Sequence, residues 1–215
     1  MSDGEFNESS DFYDKVFKAK ADNPEMFVSN WEEDNTNIHS WTEAEIKADP
    51  HKQLISEAEA GNLEAIKILL ENLEIDINAE DNDGYRALHR ACYNGHVETA
   101  KYLISKGAKV NSQTQLGWTA LHSSVYWNQL ECIELLLNSG INTNIPTEGG
   151  QTALHLACSK FDIYPEILAL LLSHCDINLD LKNAQEDTCM ELVTRHTPYA
   201  YFFYPFKSCC TQLSE

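Results

Sequence analysis

The chain has 215 residues, 43% of them apolar, enough for one substantial core or for one elongated stack with a tail. Thirty-four acidic against fifteen basic residues leave a formal net charge of −19 and a pI near 4.6. Such a surface repels phosphate backbones and anionic membranes, which argues against direct nucleic-acid or membrane binding and favours a basic protein as partner.

Taken in chain order, residues 1–48 read as an acidic and mostly disordered N-terminal segment. They hold twelve acidic and four basic residues, with Phe6, Phe12, Tyr13, Phe17, Phe27, Trp31 and Trp41 interleaved among them. That pattern suits either a solvated tail or a disordered activation or interaction segment. The first residues lack a basic and then apolar run, so no secretory signal is expected. No apolar stretch approaches the roughly 20 residues that span a bilayer. Thr42 and Glu45 have capping-box spacing ahead of Ile46, which predicts helix near 42–48.

Residues 49–207 are organised by a repeat. Three stretches align: Gly84-Tyr-Arg-Ala-Leu-His89, Gly117-Trp-Thr-Ala-Leu-His122 and Gly150-Gln-Thr-Ala-Leu-His155, with a period of 33 in both intervals. They define units 81–113, 114–146 and 147–182. Each unit reads as a short helix, a turn, a second apolar helix and a projecting hairpin. Thr119 and Thr152 can cap the first helix with a hydroxyl, whereas Arg86 cannot, which predicts a helix start weaker by about 1 kcal/mol. Asn94-Gly95-His96 and Asn128 open second helices that carry Val97, Ala100, Leu103 and Ile104, or Leu130, Ile133, Leu136 and Leu137. Gly107 and Gly140 fit left-handed caps at their ends.

The flanking units are degenerate. Residues 49–80 form a helix pair broken at Gly61-Asn62, without the Leu-His motif, as a capping unit does. Thr188 restarts the pattern 36 residues after Thr152, so three residues are inserted, and Phe161 to Pro165 is the expected place. Residues 183–207 close the stack, with Tyr199, Tyr201, Phe202, Phe203, Tyr204 and Phe206 covering its last apolar face. Residues 208–215 are a tail.

A 33-residue period with Thr-Pro-Leu-His-x-Ala is the signature of ankyrin repeats, and this chain resembles it with alanine at 87, 120 and 153 in place of proline. The expected fold is an all-α ankyrin-repeat solenoid, because one such unit cannot bury its apolar face and stacking supplies the core. Seven cysteines without Cys-x-x-Cys spacing read as reduced thiols, and Cys92 and Cys158 as small apolar residues packed between helices. His89 and Cys92, like His155 and Cys158, lie three apart. The pairs fall in different repeats and Val125 stands at the matching position between them, so no metal or other cofactor is expected. The repeated histidines His89, His122 and His155 are expected to hydrogen-bond turn backbone. The Cys209-Cys210 pair lacks a lipidation signal.

No catalytic constellation is evident, so the chain reads as a non-enzymatic module. By resemblance to ankyrin repeats, hairpin tips and exposed parts of the first helices form a concave contact face. The matching positions are Asn82, Asp83, Tyr85, Tyr93 and Asn94, then Gln115, Leu116, Trp118, Tyr126 and Trp127, then Glu148, Gln151, Ser159 and Lys160. The candidate binding set is Asp81, Asp83, Tyr85, Tyr93, Gln115, Trp118, Tyr126, Trp127 and Gln151, with its rings either exposed as contact anchors or, for Tyr93 and Tyr126 above all, packed against neighbouring helices, and its carboxylates facing Arg or Lys of a partner. Gly84, Gly117 and Gly150 with the three histidines are structural.

The chain resembles the ankyrin repeat domain-containing protein 49 family more specifically. The resemblance runs from about Val28 to Phe206 and includes Trp31-Glu-Glu-Asp34, Asp49-Pro50, Leu88-His-Arg-Ala91, Gly117-Trp118, Trp127-Asn128 and Leu181-Lys-Asn183. It implies a small, mainly nuclear protein associated with positive control of transcription, here with a shorter N-terminus and a weaker acidic run. The expectation is a monomeric protein–protein adaptor in the nucleus, the cytoplasm or both, with an escort chaperone for a basic nuclear or ribosomal client as the alternative.

Overall fold

A computed structural model describes residues 41–160 and 162–203, and the larger of its two units begins at Glu45. The disorder expected of the N-terminal segment, the C-terminal tail, Tyr204 and Phe206 concern positions outside the described residues, apart from the helix near residue 42. That helix, α1 (Glu43–Ala48), starts directly after Thr42.

In the larger unit, helices come in pairs. They are α2 (Pro50–Glu59) with α3 (Leu63–Asn72), α4 (Ala87–Tyr93) with α5 (Val97–Ser105), α6 (Ala120–Tyr126) with α7 (Leu130–Asn138), and α8 (Ala153–Ser159) with α9 (Pro165–Ser173). Then follow α10 (Cys189–His196) and a 3-10 helix, Pro198–Phe203. Among the described residues no strand forms, and antiparallel bridges Glu80–Arg86 and Lys182–Thr188 mark the stems of two hairpins. The helical solenoid expected from the repeat is what the chain builds.

The inner helices α4, α6 and α8 have seven residues each, too short to persist alone in water. Burial holds them. Leu88, Leu121 and Leu154 are buried together with Cys92, Val125 and Cys158, and the outer helices cover them with Leu103, Ile133, Leu136, Leu168 and Leu171. Each such leucine contributes about 1.5–3 kcal/mol. Cys92 and Cys158 are the small apolar residues that the sequence suggested.

The first three turns between inner and outer helices pass through a left-handed residue, supplied by Gly61 and Gly95 and, without glycine, by Asn128 at φ 56°. The Asn128 amide also donates to the Asp162 carbonyl at 3.1 Å, tying its turn to the next. Gly107 and Gly140 take positive φ after their helices, as expected. The three-residue insertion is split rather than placed wholly at Phe161 to Pro165. Inner and outer helices start 10, 10 and 12 residues apart in successive repeats, and the next inner helix starts 23, 23 and 24 residues later. Two extra residues therefore precede α9 and one follows it. The reason lies in the cap: His174 is extended at φ −77°, ψ 128°, where the preceding repeats turn through glycine.

The last unit shows why it ends the stack. Glu191 stands where the other repeats have histidine, and its carboxylate accepts the Thr188 N–H at 2.7 Å and hydroxyl at 2.9 Å. The histidines reach onward to a following hairpin; Glu191 turns back on its own cap. Phe203 is buried and Tyr199 and Phe202 are half-buried, whereas Tyr201 stays exposed and stacks on Phe202 at 4.6 Å.

Candidate partner-binding face

Each hairpin is closed by a short polar side chain at its base. The Asp81 carboxylate accepts the N–H groups of Asp83 and Tyr85 at 3.0 and 2.8 Å. The Thr114 and Thr147 hydroxyls accept from Trp118 and Gln151, and the Asn183 amide oxygen from Gln185 and Asp187. The tips then bond to one another through backbone. Gln115 donates to Asp83, Glu148 to Leu116 and Ala184 to Gly149, at 3.0, 3.1 and 3.1 Å. This close approach explains Gly84 and Gly117: a Cβ there would stand 2.8 or 2.9 Å from the next tip's backbone nitrogen.

The histidines fasten hairpin to helix. His122 Nδ1 accepts the Thr119 N–H at 3.1 Å, which leaves the proton on Nε2 to meet the Gln151 carbonyl at 3.1 Å. His89 bonds the Ser112 carbonyl and His155 the Leu181 carbonyl, both at 3.0 Å. Burial lowers the pKa of His89 and of His122 to about 4. At His155 burial also pushes downward, but the adjacent Cys189 thiol and the Leu181 and Asp187 backbone outweigh it, and the pKa rises. Arg86, as expected, makes no side-chain cap on α4. Its guanidinium spans loops instead, donating to the carbonyls of Asn78 and Gln113 at 3.0 Å and to Glu80 at 2.6 Å. Asn78, Asn111 and Asn144 accept backbone N–H groups of the following unit at 2.8–2.9 Å, a second ladder at the repeat period.

On this scaffold the expected contact residues separate into two groups. Asp81 is enclosed: beyond its hairpin bonds it meets Arg90 Nη2 at 2.7 Å, with both side chains buried. Arg90 in turn lies over the Tyr85 ring at 4.3 Å. Asp81 therefore faces an arginine of its own chain rather than of a partner. Trp118 is not an exposed anchor either. It is 7% exposed, with Tyr126 and His122 rings at 5.6 and 6.2 Å, because the hairpin after Gly117 folds its ring back over α6. The Gln115 side-chain amide bonds the Asn82 carbonyl, and the half-buried Gln151 uses its backbone for His122 and Thr147. Asp83 and Asn82 stay exposed at the tip.

The other group gathers at the ends of α4 and α6. Tyr93 packs on Trp127 at 4.8 Å, and Trp127 on Tyr126 at 5.4 Å, giving one row of rings across two repeats with the Trp127 side 36% exposed. Lys160, at the matching place one repeat later, lies 5.1 Å over the Tyr126 ring, bonds the Tyr126 carbonyl and stands 3.4 Å from Asp162. Burial, then the nearby Glu59 carboxylate, raises the Tyr93 phenol pKa. Sequence reasoning missed the roles of Arg86, Arg90 and Glu59. Arg86 and Arg90 were legible only as departures from the repeat, since Thr119 and Ser123 hold those places in the next unit.

One trio of potential metal ligands occurs among the described residues: His174, Cys175 and Asp176, with ligand atoms within 4.8 Å. They are consecutive residues in the turn after α9, one short of the four ligands a closed zinc site takes. No helix of the described residues is long and apolar enough to cross a membrane.

The family model for ankyrin repeats (three copies) matches residues 35–114 and 106–183. Ankyrin repeat domain-containing protein 49 of Bos taurus is 51% identical over 167 residues, covering 78% of this chain and 70% of its own length. The Homo sapiens protein of that name is 46% identical over 190 residues, covering 86% and 79%. The chain belongs to the ankyrin repeat domain-containing protein 49 family. A Drosophila melanogaster member is 36% identical over 110 residues, 48% of this chain and 47% of its own. Ankyrin repeats are typically non-enzymatic protein–protein interaction modules, and the ring row of this chain lies on such a module.

Proposed function

We propose that the chain is a monomeric adaptor that regulates transcription in the nucleus by holding a protein partner on its hairpin-tip and inner-helix face. The observation that carries this reading is the Tyr93–Trp127–Tyr126 row, which offers large, rigid rings with an exposed indole between two tyrosines. Tryptophan and tyrosine dominate interface hot spots because they bury much area at little entropic cost. Asp83, Tyr85, Gln115 and Gln151 border the same face as specificity positions. The nuclear role rests on the family resemblance. The test is a Tyr93→Ala/Trp127→Ala protein, checked by circular dichroism and used in affinity capture from nuclear extract. Loss of partners with the fold retained supports the reading; a folded variant that keeps every partner ends it.

A second reading, escort of a basic client, draws on the net charge of −19. Salt separates the two. Escort by charge weakens steeply as ionic strength rises, whereas a ring-anchored interface persists.

A further inference from the structure

We infer that Trp127, the middle ring of the row, receives an arginine side chain of the partner on its open surface, with Glu98 and Glu131 as its counter-charges. The inference rests on the adaptor reading and names the partner's chemistry at one place. The patch is built from two neighbouring turns. The Gln129 side chain donates to the Tyr93 carbonyl at 3.2 Å and lies against Gly95, where an added Cβ would stand 2.3 Å from its amide oxygen. That bond sets the turn after α6 beside the turn after α4. Tyr93 and Trp127 thereby pack together, and Trp127 and Leu130, three residues apart in the chain, are each 36% exposed.

Carboxylates follow the same two turns along the chain: Glu98 comes five residues after Tyr93, and Glu131 four after Trp127. Glu98 and Glu131 are exposed in the first turns of α5 and α7, where a helix favours negative charge. Neither pairs with a lysine or arginine among the described residues, whereas Glu64 at the same place on α3 is taken by Lys67 at 2.7 Å. The chain twice fills a ring-and-carboxylate arrangement with a cation of its own. Arg90 lies between the Tyr85 ring and Asp81, and Lys160 lies over Tyr126 beside Asp162. Over Trp127 no lysine or arginine of the described residues lies, although indole is the strongest of the cation-binding rings. Arginine fits better than lysine, because its planar guanidinium stacks on a ring while its edge donates to carboxylates.

The test uses the full chain and a defined probe, the acetylated peptide Gly-Arg-Gly-Leu-Arg-Gly, beside versions with citrulline or lysine in place of arginine. Binding is read from the indole N–H signal of Trp127 in a nitrogen-15 spectrum, assigned with Trp127→Phe. The expected result is a saturable shift with the arginine peptide and about tenfold weaker binding of the citrulline peptide. The Glu98→Gln/Glu131→Gln protein, its fold checked by its remaining signals, should weaken the arginine peptide by a similar factor and close most of the gap to citrulline. Equal binding of arginine and citrulline peptides, an unmoved Trp127 signal, or unchanged affinity in the glutamine variant would each overturn the inference. If the Tyr93→Ala/Trp127→Ala protein loses its nuclear partners while these peptides show no arginine preference, the adaptor reading stands and this one falls.

Discussion

The His122 imidazole joins two repeats: its Nδ1 accepts the Thr119 N–H and its Nε2–H donates to the Gln151 carbonyl, both at 3.1 Å. Both bonds need the neutral ring, as they do at His89. The folded pKa of each is about 4, below the 6.5 of an imidazole in water. The unfolded chain therefore binds more protons between those values, and stability present above pH 6.5 is lost as pH falls toward 4. The loss is on the order of 3 kcal/mol for each ring. His155, whose pKa is raised, contributes with the opposite sign. Urea midpoints measured from pH 7.5 to 4 should fall, and His122→Gln should lower stability at pH 7 while flattening that slope. A slope unchanged in His122→Gln would contradict the assignment.

The Asp81–Arg90 pair is buried, so removing one charge strands the other. Asp81→Asn should cost about 3–5 kcal/mol. Thr147 and Leu156 hold the corresponding places two repeats later. The double change Asp81→Thr/Arg90→Leu should therefore recover most of that loss, although Tyr85 gives up its cation. Thermal denaturation of the three proteins checks this, and additive losses in the double variant would refute it.

Trp118 and Trp127, alike in what their motifs suggest, play different parts: one is buried and the other is open. Trp118→Ala should cost about 3–5 kcal/mol as a buried aromatic truncation. Trp127→Ala should cost about 1 kcal/mol, as for a partly exposed position, while removing partner binding. Urea unfolding of each variant measures the difference.

At the hairpin tips, Gly117→Ala combines φ 78° with a Cβ 2.9 Å from the Glu148 nitrogen, and should destabilise by at least about 1 kcal/mol. Glu186 sits at the equivalent turn with φ 63°, so Glu186→Gly should stabilise by up to about 1 kcal/mol. The exposed Lys182–Glu186 pair lost in that change is worth little. Opposite shifts in urea midpoint are the expected outcome.

The repeat was legible because it is written in local chemistry. Thr119 and Thr152 cap helices three residues from their own histidines, and Leu121 and Leu154 recur at a spacing that only stacking can bury. The site was legible in part. Tyr93, Tyr126 and Trp127 were identified as one set of rings, but their alignment with one another was not, since the Tyr93–Trp127 approach depends on how two turns lie side by side. Trp118 was misread because its position varies between repeats, and variation there signals neither exposure nor burial. What the amino-acid order alone determined is the unit, its caps and its period, all governed by interactions within a few residues. Which carboxylate meets which arginine, which tryptophan is buried, and where rings remain open to a partner were decided by the stacking of units about 33 residues apart in the chain.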